Sequence, residues 1–278
     1  MIKKLGFIAA AMSLALTGTH ALAKITEAEA NKLGNELTPL GAEKSGNADG
    51  SIPAWTGGIT KAPDGYSVGD HHPDPYPEDK VLFEITAQNY KEYAEYLSEG
   101  QIKLFEAYPE TFRMPVYPTR RSASNPQEIY EATKVNATRA ELLDGGNGIK
   151  GAVLGIPFPI PKNGLEAIWN HILRYRGEAV QRNGGQAAVT TSGDYNVIGF
   201  DEQLMIKYAE EGATPEKLTD ENVLFMFKQK VTKPARLAGT ALLVHETVDQ
   251  VKEPRKAWTY NTGQRRVRLA PNIAYDTP

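Results

Sequence analysis

The sequence predicts an α+β protein in which helices come first and a run of hairpin-linked strands follows, building an antiparallel sheet. Three observations carry that expectation. Up to about residue 174, apolar residues recur at helical spacing between breaks rich in Gly and Pro. From residue 177 onward the period changes to two. Short polar turns such as Asn183-Gly184-Gly185 and Ser192-Gly193-Asp194 then separate the candidate strands.

The N-terminus comes off that count first. Lys3 and Lys4, the apolar run from Leu5 to Leu16 and the triplet Ala21-Leu22-Ala23 form the basic, apolar and small-residue regions of a secretory signal. Residues 1–23 are therefore expected to be a signal peptide cleaved after Ala23, with the mature chain in the periplasm from Lys24. The apolar run is shorter than the roughly 20 residues that cross a bilayer, and no later stretch reads as a transmembrane segment. With no cysteine, the chain has neither a disulfide framework nor an acylation site. The net charge of −3 becomes −5 once Lys3 and Lys4 are removed, which excludes the basic excess of a nucleic-acid binder.

Residues 24–80 read as an irregular N-terminal segment with one short helix, Thr26 to Leu33, opened by a Thr26–Glu29 capping box and closed at Gly34. Residues 81–278 read as the α+β domain. A helical block is expected over 86–107, with Tyr90, Tyr93, Ala94 and Leu97 on a buried face and a second capping box at Ser98 and Gln101. Pro126 starts another helix, and Asp144 to Gly148 breaks the chain. The proline run from Ile156 to Pro161 is extended, and Asn163 caps a helix to about Arg174 with Leu165, Ile168, Trp169 and Ile172 on one side. Strands are expected at 177–181, 186–190, 195–200, 222–231, 237–247, 256–260 and 265–269. The last would be an uncovered edge followed by a loop at 271–278, so a C-terminal truncation is expected.

The polar motifs favour bland readings. His71-His72 with Asp74 and Glu78 lies in a proline-rich loop, where adjacent histidines point apart. Ser45, Asn47, Asp49, Gly50 and Ile52 fit part of a calcium loop, but Thr56 stands where a bidentate Glu belongs, so an Asx-Gly turn is preferred. The glycines at 145–148 lack the Lys-Ser or Lys-Thr pair of a phosphate loop. His171 and His245 have neither a nucleophile elbow nor a thiol beside them. No catalytic, metal-binding or cofactor-binding residue is nominated, and the chain reads as a non-enzyme.

The apolar content of the sheet is the stronger signal. Val223 to Phe227 is apolar on both faces, so both must be covered, by protein or by a ligand. Phe225, Phe227, Leu243, Trp258 and Tyr260 are the candidates for an apolar cavity lining, and Arg174 and Arg176 for an acidic headgroup.

Several stretches resemble a family of secreted proteobacterial proteins known mainly as a domain of unknown function and grouped with outer-membrane lipoprotein-sorting proteins. They are Leu37 to Ala42, Gly46 to Gly50, Ile52 to Gly58, Pro115 to Arg121, Gly155 to Pro161, Trp169 to His171, Ala257 to Tyr260 and Arg265 to Arg268. The resemblance implies a periplasmic lipoprotein-carrier-like fold, a curved antiparallel sheet forming an incomplete β-barrel with helices packed on or inside it. It also implies a longer C-terminus, and as partners an outer-membrane channel-like protein and a hydrophobe exporter. The function expected is a periplasmic binding or carrier protein for lipids or other hydrophobic compounds in an envelope transport system. The alternative is a non-catalytic adaptor docking an outer-membrane partner through residues 34–80.

Overall fold

The computed structural model of the chain describes residues 24–270, so the expected signal peptide and the loop expected at 271–278 lie outside the described residues. Helix α1 (Glu27–Ala30) opens on the expected capping box. Thr26 Oγ1 accepts from Glu29 N, and the Glu29 carboxylate accepts from Thr26 N at 2.7 Å. Ile25, Ala30 and Leu33 pack against Ala137, which anchors the N-terminal segment on the body of the protein.

The helical block expected over 86–107 is broken in two. Strand β1 (Phe83–Ile85) leads into a 3-10 helix at Tyr90–Tyr96, Leu97 is extended, and α2 (Glu99–Ala107) begins afresh at the Ser98–Gln101 capping box. A capping box satisfies the free N–H groups of a helix start, so in mid-block it restarts the helix rather than continuing it. The face expected to be buried is half-buried at Tyr90, Tyr93 and Leu97 and exposed at Ala94. Its rings stack instead, Tyr90 on Phe105 and Tyr93 on Phe83, with centroids 5.5 and 5.1 Å apart. Strand β2 (Met114–Val116) pairs with β1; three-residue strands leave no periodicity to read.

Helix α3 (Gln127–Arg139) follows Pro126 as expected. Strands β3 (Glu141–Leu142) and β4 (Ile149–Lys150) pair across the Gly-rich break. In α4 (Gly164–Ile172), Asn163 Oδ1 accepts from Glu166 N at 3.0 Å, the expected cap. Its expected apolar side is covered only in part. Trp169 is buried, whereas Leu165 and Ile168 are 50% and 57% exposed.

The six-stranded sheet is an antiparallel meander of β5 (Ala179–Val189), β6 (Tyr195–Ile206), β7 (Val223–Lys233), β8 (Ala241–Thr247), β9 (Lys256–Asn261) and β10 (Arg266–Leu269). Helix α5 (Pro215–Glu221) joins β6 to β7. The α+β architecture is as expected, and the sheet is open, with β5 and β10 as its edges. Asn183-Gly184-Gly185 is not a turn. The eleven pairs from Ala179↔Met205 to Val189↔Tyr195 run through it without a shift, so the strands expected at 177–181 and 186–190 are one. The hairpin turns at Thr190 to Asp194 instead, where Thr190 N donates to Asp194 O at 2.9 Å.

The main core gathers Trp169 and Leu173 after α4's cap, Leu218 of α5, Ile206, Tyr208 and Leu224 against one face of the lower sheet. The irregular stretch after α1 is sewn to the body by Arg121. Its guanidinium donates to the carbonyls of Glu43, Lys44, Ser45 and Pro53 at 2.6 to 3.4 Å. Trp55 Nε1 adds a bond to Ala123 O at 3.0 Å.

Gly41, with φ 95°, sits so close to Pro159 that an added Cβ would fall 1.7 Å from its carbonyl oxygen. Gly34 has a similar φ of 83° with open space around it. The Gly34→Ala variant should therefore cost only about 1 kcal/mol, the left-handed penalty alone. Gly41→Ala should cost about 3 kcal/mol or more, because backbone must move. Thermal melts of the two variants measure the difference.

Candidate functional site

Register sorts the sheet residues by face, because cross-strand partners in an antiparallel ladder project to the same side. Ile206 pairs with Phe225 and Phe225 with Glu246; Phe227 pairs with Leu204 and Val244, and Val244 with Ala257. That set forms the covered face. Ile206, Val244, Glu246 and Ala257 are buried on it, and Phe225 and Leu204 pack against the main core. On the other face, Met205 pairs with Met226 and Met226 with His245, while Lys228 pairs with Leu243 and Leu243 with Trp258. Tyr260 is two residues on from Trp258 and shares its side.

The five candidate lining residues therefore do not form one wall. Leu243, Trp258 and Tyr260 lie together on the open face, whereas Phe225 and Phe227 project to the covered face. The register thus places Phe225 and Phe227 on the face opposite to Leu243, Trp258 and Tyr260. A β-bulge between Val223 and Phe225 turns the buried Leu224 into the core beside Phe225, so the lower end of β7 belongs to packed protein.

The open face carries a shallow groove of about 440 Å³. Its lining includes Leu204, Met205, Met226, Phe227, Lys228 and Leu243. Of the cavity residues expected from the sequence, Phe227 and Leu243 border it, whereas Phe225, Trp258 and Tyr260 do not. Met205 is 48% exposed, and Met226 and Leu243 are half-buried. Beside the groove, His245 meets Trp258 edge to face at a centroid distance of 4.9 Å, so that histidine is a ring contact. The groove offers apolar area, two flexible thioethers and one ammonium.

Arg174 and Arg176 do not line the groove. Arg174 donates to His171 O at 2.7 Å. Desolvation, then the charges of Arg174 and Arg182, holds the Arg176 guanidinium below its ordinary pKa. The two arginines thus belong to a positive cluster ahead of β5, with Arg182 on the covered face opposite Glu202. The Asx-Gly turn is present at Asn47 to Ile52, where Asn47 Oδ1 accepts from Ile52 N and Asp49 Oδ1 from Ser51 N, each at 2.8 Å. His72 packs against Tyr66 in its loop.

A second hollow, of about 320 Å³, was not nominated from sequence. Thr38, Leu40, Trp55, Arg120, Arg121 and Tyr130 are among its walls. The signal that could have found it was the clustering of Trp55, Arg120 and Arg121 in distinctive stretches. Both guanidiniums are already engaged. Arg121 holds carbonyls, and Arg120 donates to Asp79 at 3.0 Å and lies 4.8 Å from the Tyr76 ring centroid. The Arg120 hydrogen bond keeps the Asp79 carboxyl below its usual pKa.

The covered face also holds an ion pair. Glu246 has a side chain only 2% exposed and accepts from Arg255 Nε at 2.7 Å, with Thr247 N donating to its other oxygen at 3.2 Å. Truncating the cation strands a buried carboxylate, so Arg255→Met should cost about 3–5 kcal/mol. Removing both charges in Glu246→Leu/Arg255→Met should restore much of that loss. Denaturant melts of the single and double variants test both expectations.

A family model described as "Protein of unknown function (DUF1329)" matches residues 84–278. The chain is 50% identical over 267 residues to the uncharacterized protein PA3922 of Pseudomonas aeruginosa. The match covers 96% of this chain and 58% of that relative, so the chain spans less than two thirds of its length. No solved structure matches. With 50% identity along nearly the whole chain and a family match from β1 onward, the protein belongs to the DUF1329 family of proteins of unknown function.

Proposed function

We propose that the protein binds a lipid or another hydrophobic compound along the open face of its sheet, as a carrier in an envelope transport system. The observation that carries this reading is the apolar groove between Met205, Met226 and Leu243 on a face that the helices leave bare. About eight methylenes withdrawn from water there would contribute roughly 6 kcal/mol, before the cost of ordering the ligand is subtracted. Methionine side chains adapt to an irregular chain better than branched residues do, which suits a carrier of acyl chains. Lys228, in the groove wall, replaces Arg174 and Arg176 as the group suited to an acidic headgroup. The signal-like N-terminus supports a periplasmic setting. The adaptor alternative is less supported, because much of the segment from Glu43 to Ile59 is engaged in bonds to residues 121–124 of its own body.

The expected outcome of substitution follows from the faces. Met226→Asp and Met205→Asp should abolish uptake of a fluorescent fatty acid while leaving the circular dichroism melt nearly unchanged, since solvent reaches both positions. Phe225→Asp should instead cost several kcal/mol, because the new carboxylate would be driven into packed protein. Uptake that survives both methionine substitutions, in folded protein, would remove the groove as the binding site.

A further inference from the structure

The free edge of β5 is a second surface with a definite chemistry. At one end of its ladder Ile206 N donates to Glu178 O at 2.7 Å, and at the other Thr190 N donates to Asp194 O at 2.9 Å. Bonded and non-bonded pairs alternate along an antiparallel ladder, and no register shift intervenes between these ends. The even-numbered residues of β5 therefore bond inward to β6. The odd-numbered ones, Ala179, Gln181, Asn183, Gly185, Ala187 and Val189, aim both N–H and C=O away from the sheet. No described strand pairs with them.

Proteins blunt such edges with proline, lysine, bulges or short strands. The opposite edge carries charge, since Arg266 and Arg268 lie on β10. The β5 edge has none of these devices. It runs for eleven residues without proline or bulge, and its single charge, Arg182, is held by Glu202 at 2.8 Å. Its outer half is exposed on both faces, with Val189 at 69%.

We infer that β5 pairs antiparallel with β5 of a second copy, about a two-fold axis at Gly184, to give a continuous twelve-stranded sheet. The strand is self-complementary in that register. Ala179 would meet the partner subunit's Val189, Gln181 the partner subunit's Ala187, and Asn183 the partner subunit's Gly185. All six outward residues bond, giving about twelve main-chain hydrogen bonds, and no like charges oppose. A two-fold axis through an antiparallel ladder stands perpendicular to the sheet, so the open faces of both copies lie on the same side. The partner subunit's Val189 then falls beside Ala179 at the end of the groove, extending its apolar wall and covering a valine that the single chain leaves bare. The pairing rests on backbone geometry and stands independently of what the groove binds.

Gly184 pairs with itself across the axis at a non-bonded position, where Cα atoms approach to about 4.5 Å. That suits a disulfide. The chain has no cysteine, and a Cβ at Gly184 meets nothing within 4 Å. Gly184→Cys should therefore cross-link to a covalent dimer under mild oxidation, while Tyr195→Cys, also at an exposed position, should not. In sedimentation equilibrium the unmodified protein should be a dimer. Ala187→Pro, which deletes one outward N–H per copy and no inward bond, should weaken it by at least about tenfold. Should Ala187→Pro unfold by circular dichroism, Ala187→Lys replaces it, with the same weakening expected from a charge on the edge. A protein that stays monomeric at high concentration, or a dimer that ignores the edge variants and cross-links no better at Gly184 than at Tyr195, would overturn the pairing.

Discussion

The sheet is larger than the helices available to cover it, and most of the structure follows from that mismatch. At about 3.3 Å per residue, the twelve residues of β6 extend roughly 40 Å. Helices α4 and α5, of nine and seven residues, reach about 14 and 10 Å at 1.5 Å per residue. They can close a core only over the lower ends of β6, β7 and β8, where Ile206, Leu224 and Phe225 meet Trp169, Leu173 and Leu218. Elsewhere on the covered side, buried Val244 and Ala257 are joined by polar pairs. Glu202 binds Arg182 and Gln229 across three strands, and Glu246 is neutralised by Arg255. Among the described residues no helix packs on the opposite face, and Met205 there is 48% exposed.

A comparable economy governs the first half of the chain, where backbone that forms no sheet must still place its donors and acceptors. Side chains serve as the missing strands. The Asn170 amide accepts from Phe158 N at 2.9 Å and donates to Phe158 O at 2.6 Å. Asn136, 2% exposed, holds both polar groups of Val153, and the buried Thr133 hydroxyl accepts from Ile156 N. Arg121 does the same for four carbonyls at once. Several stretches that resemble the family in sequence, among them Leu37 to Ala42, Pro115 to Arg121 and Gly155 to Pro161, are thus explained in large part by the needs of irregular backbone. Distinctive sequence in this region marks architecture before it marks ligand contact.

Local chemistry was legible in the sequence, and long-range partition was not. The capping boxes at Thr26 and Ser98, the Asn163 cap and the Asn47 turn each depend on residues within a few positions of one another, and each forms. Which face of β7 is covered depends on helices far away in sequence. Val223 to Phe227 is apolar at every position, so its alternation could not break the tie. The facing of Phe225 and Phe227 relative to Leu243, Trp258 and Tyr260 is hidden for the same reason, since register between strands is fixed by the turns and bulges connecting them. Asn183-Gly184-Gly185 misled because its turn propensity is weak beside eleven consecutive ladder pairs.

The Gly-Gly pair within β5 also ties the bare face to the bare edge. Glycine in a strand gives up side-chain packing and costs backbone entropy, so a strand built for internal stability would avoid it. Here Gly184 and Gly185 stand at the midpoint of an edge strand with no side chain on either face at that point. Backbone without side chains is the surface to which another backbone approaches most closely, and it leaves recognition to hydrogen bonds. Apolar side chains are concentrated instead at the two ends of the hairpin, Met205 at its base and Val189, Tyr195 and Val197 toward its tip. An antiparallel partner on the β5 edge brings one copy's tip beside the other's base. The sheet's two uncovered features, its edge and its methionine-lined face, then become parts of one surface.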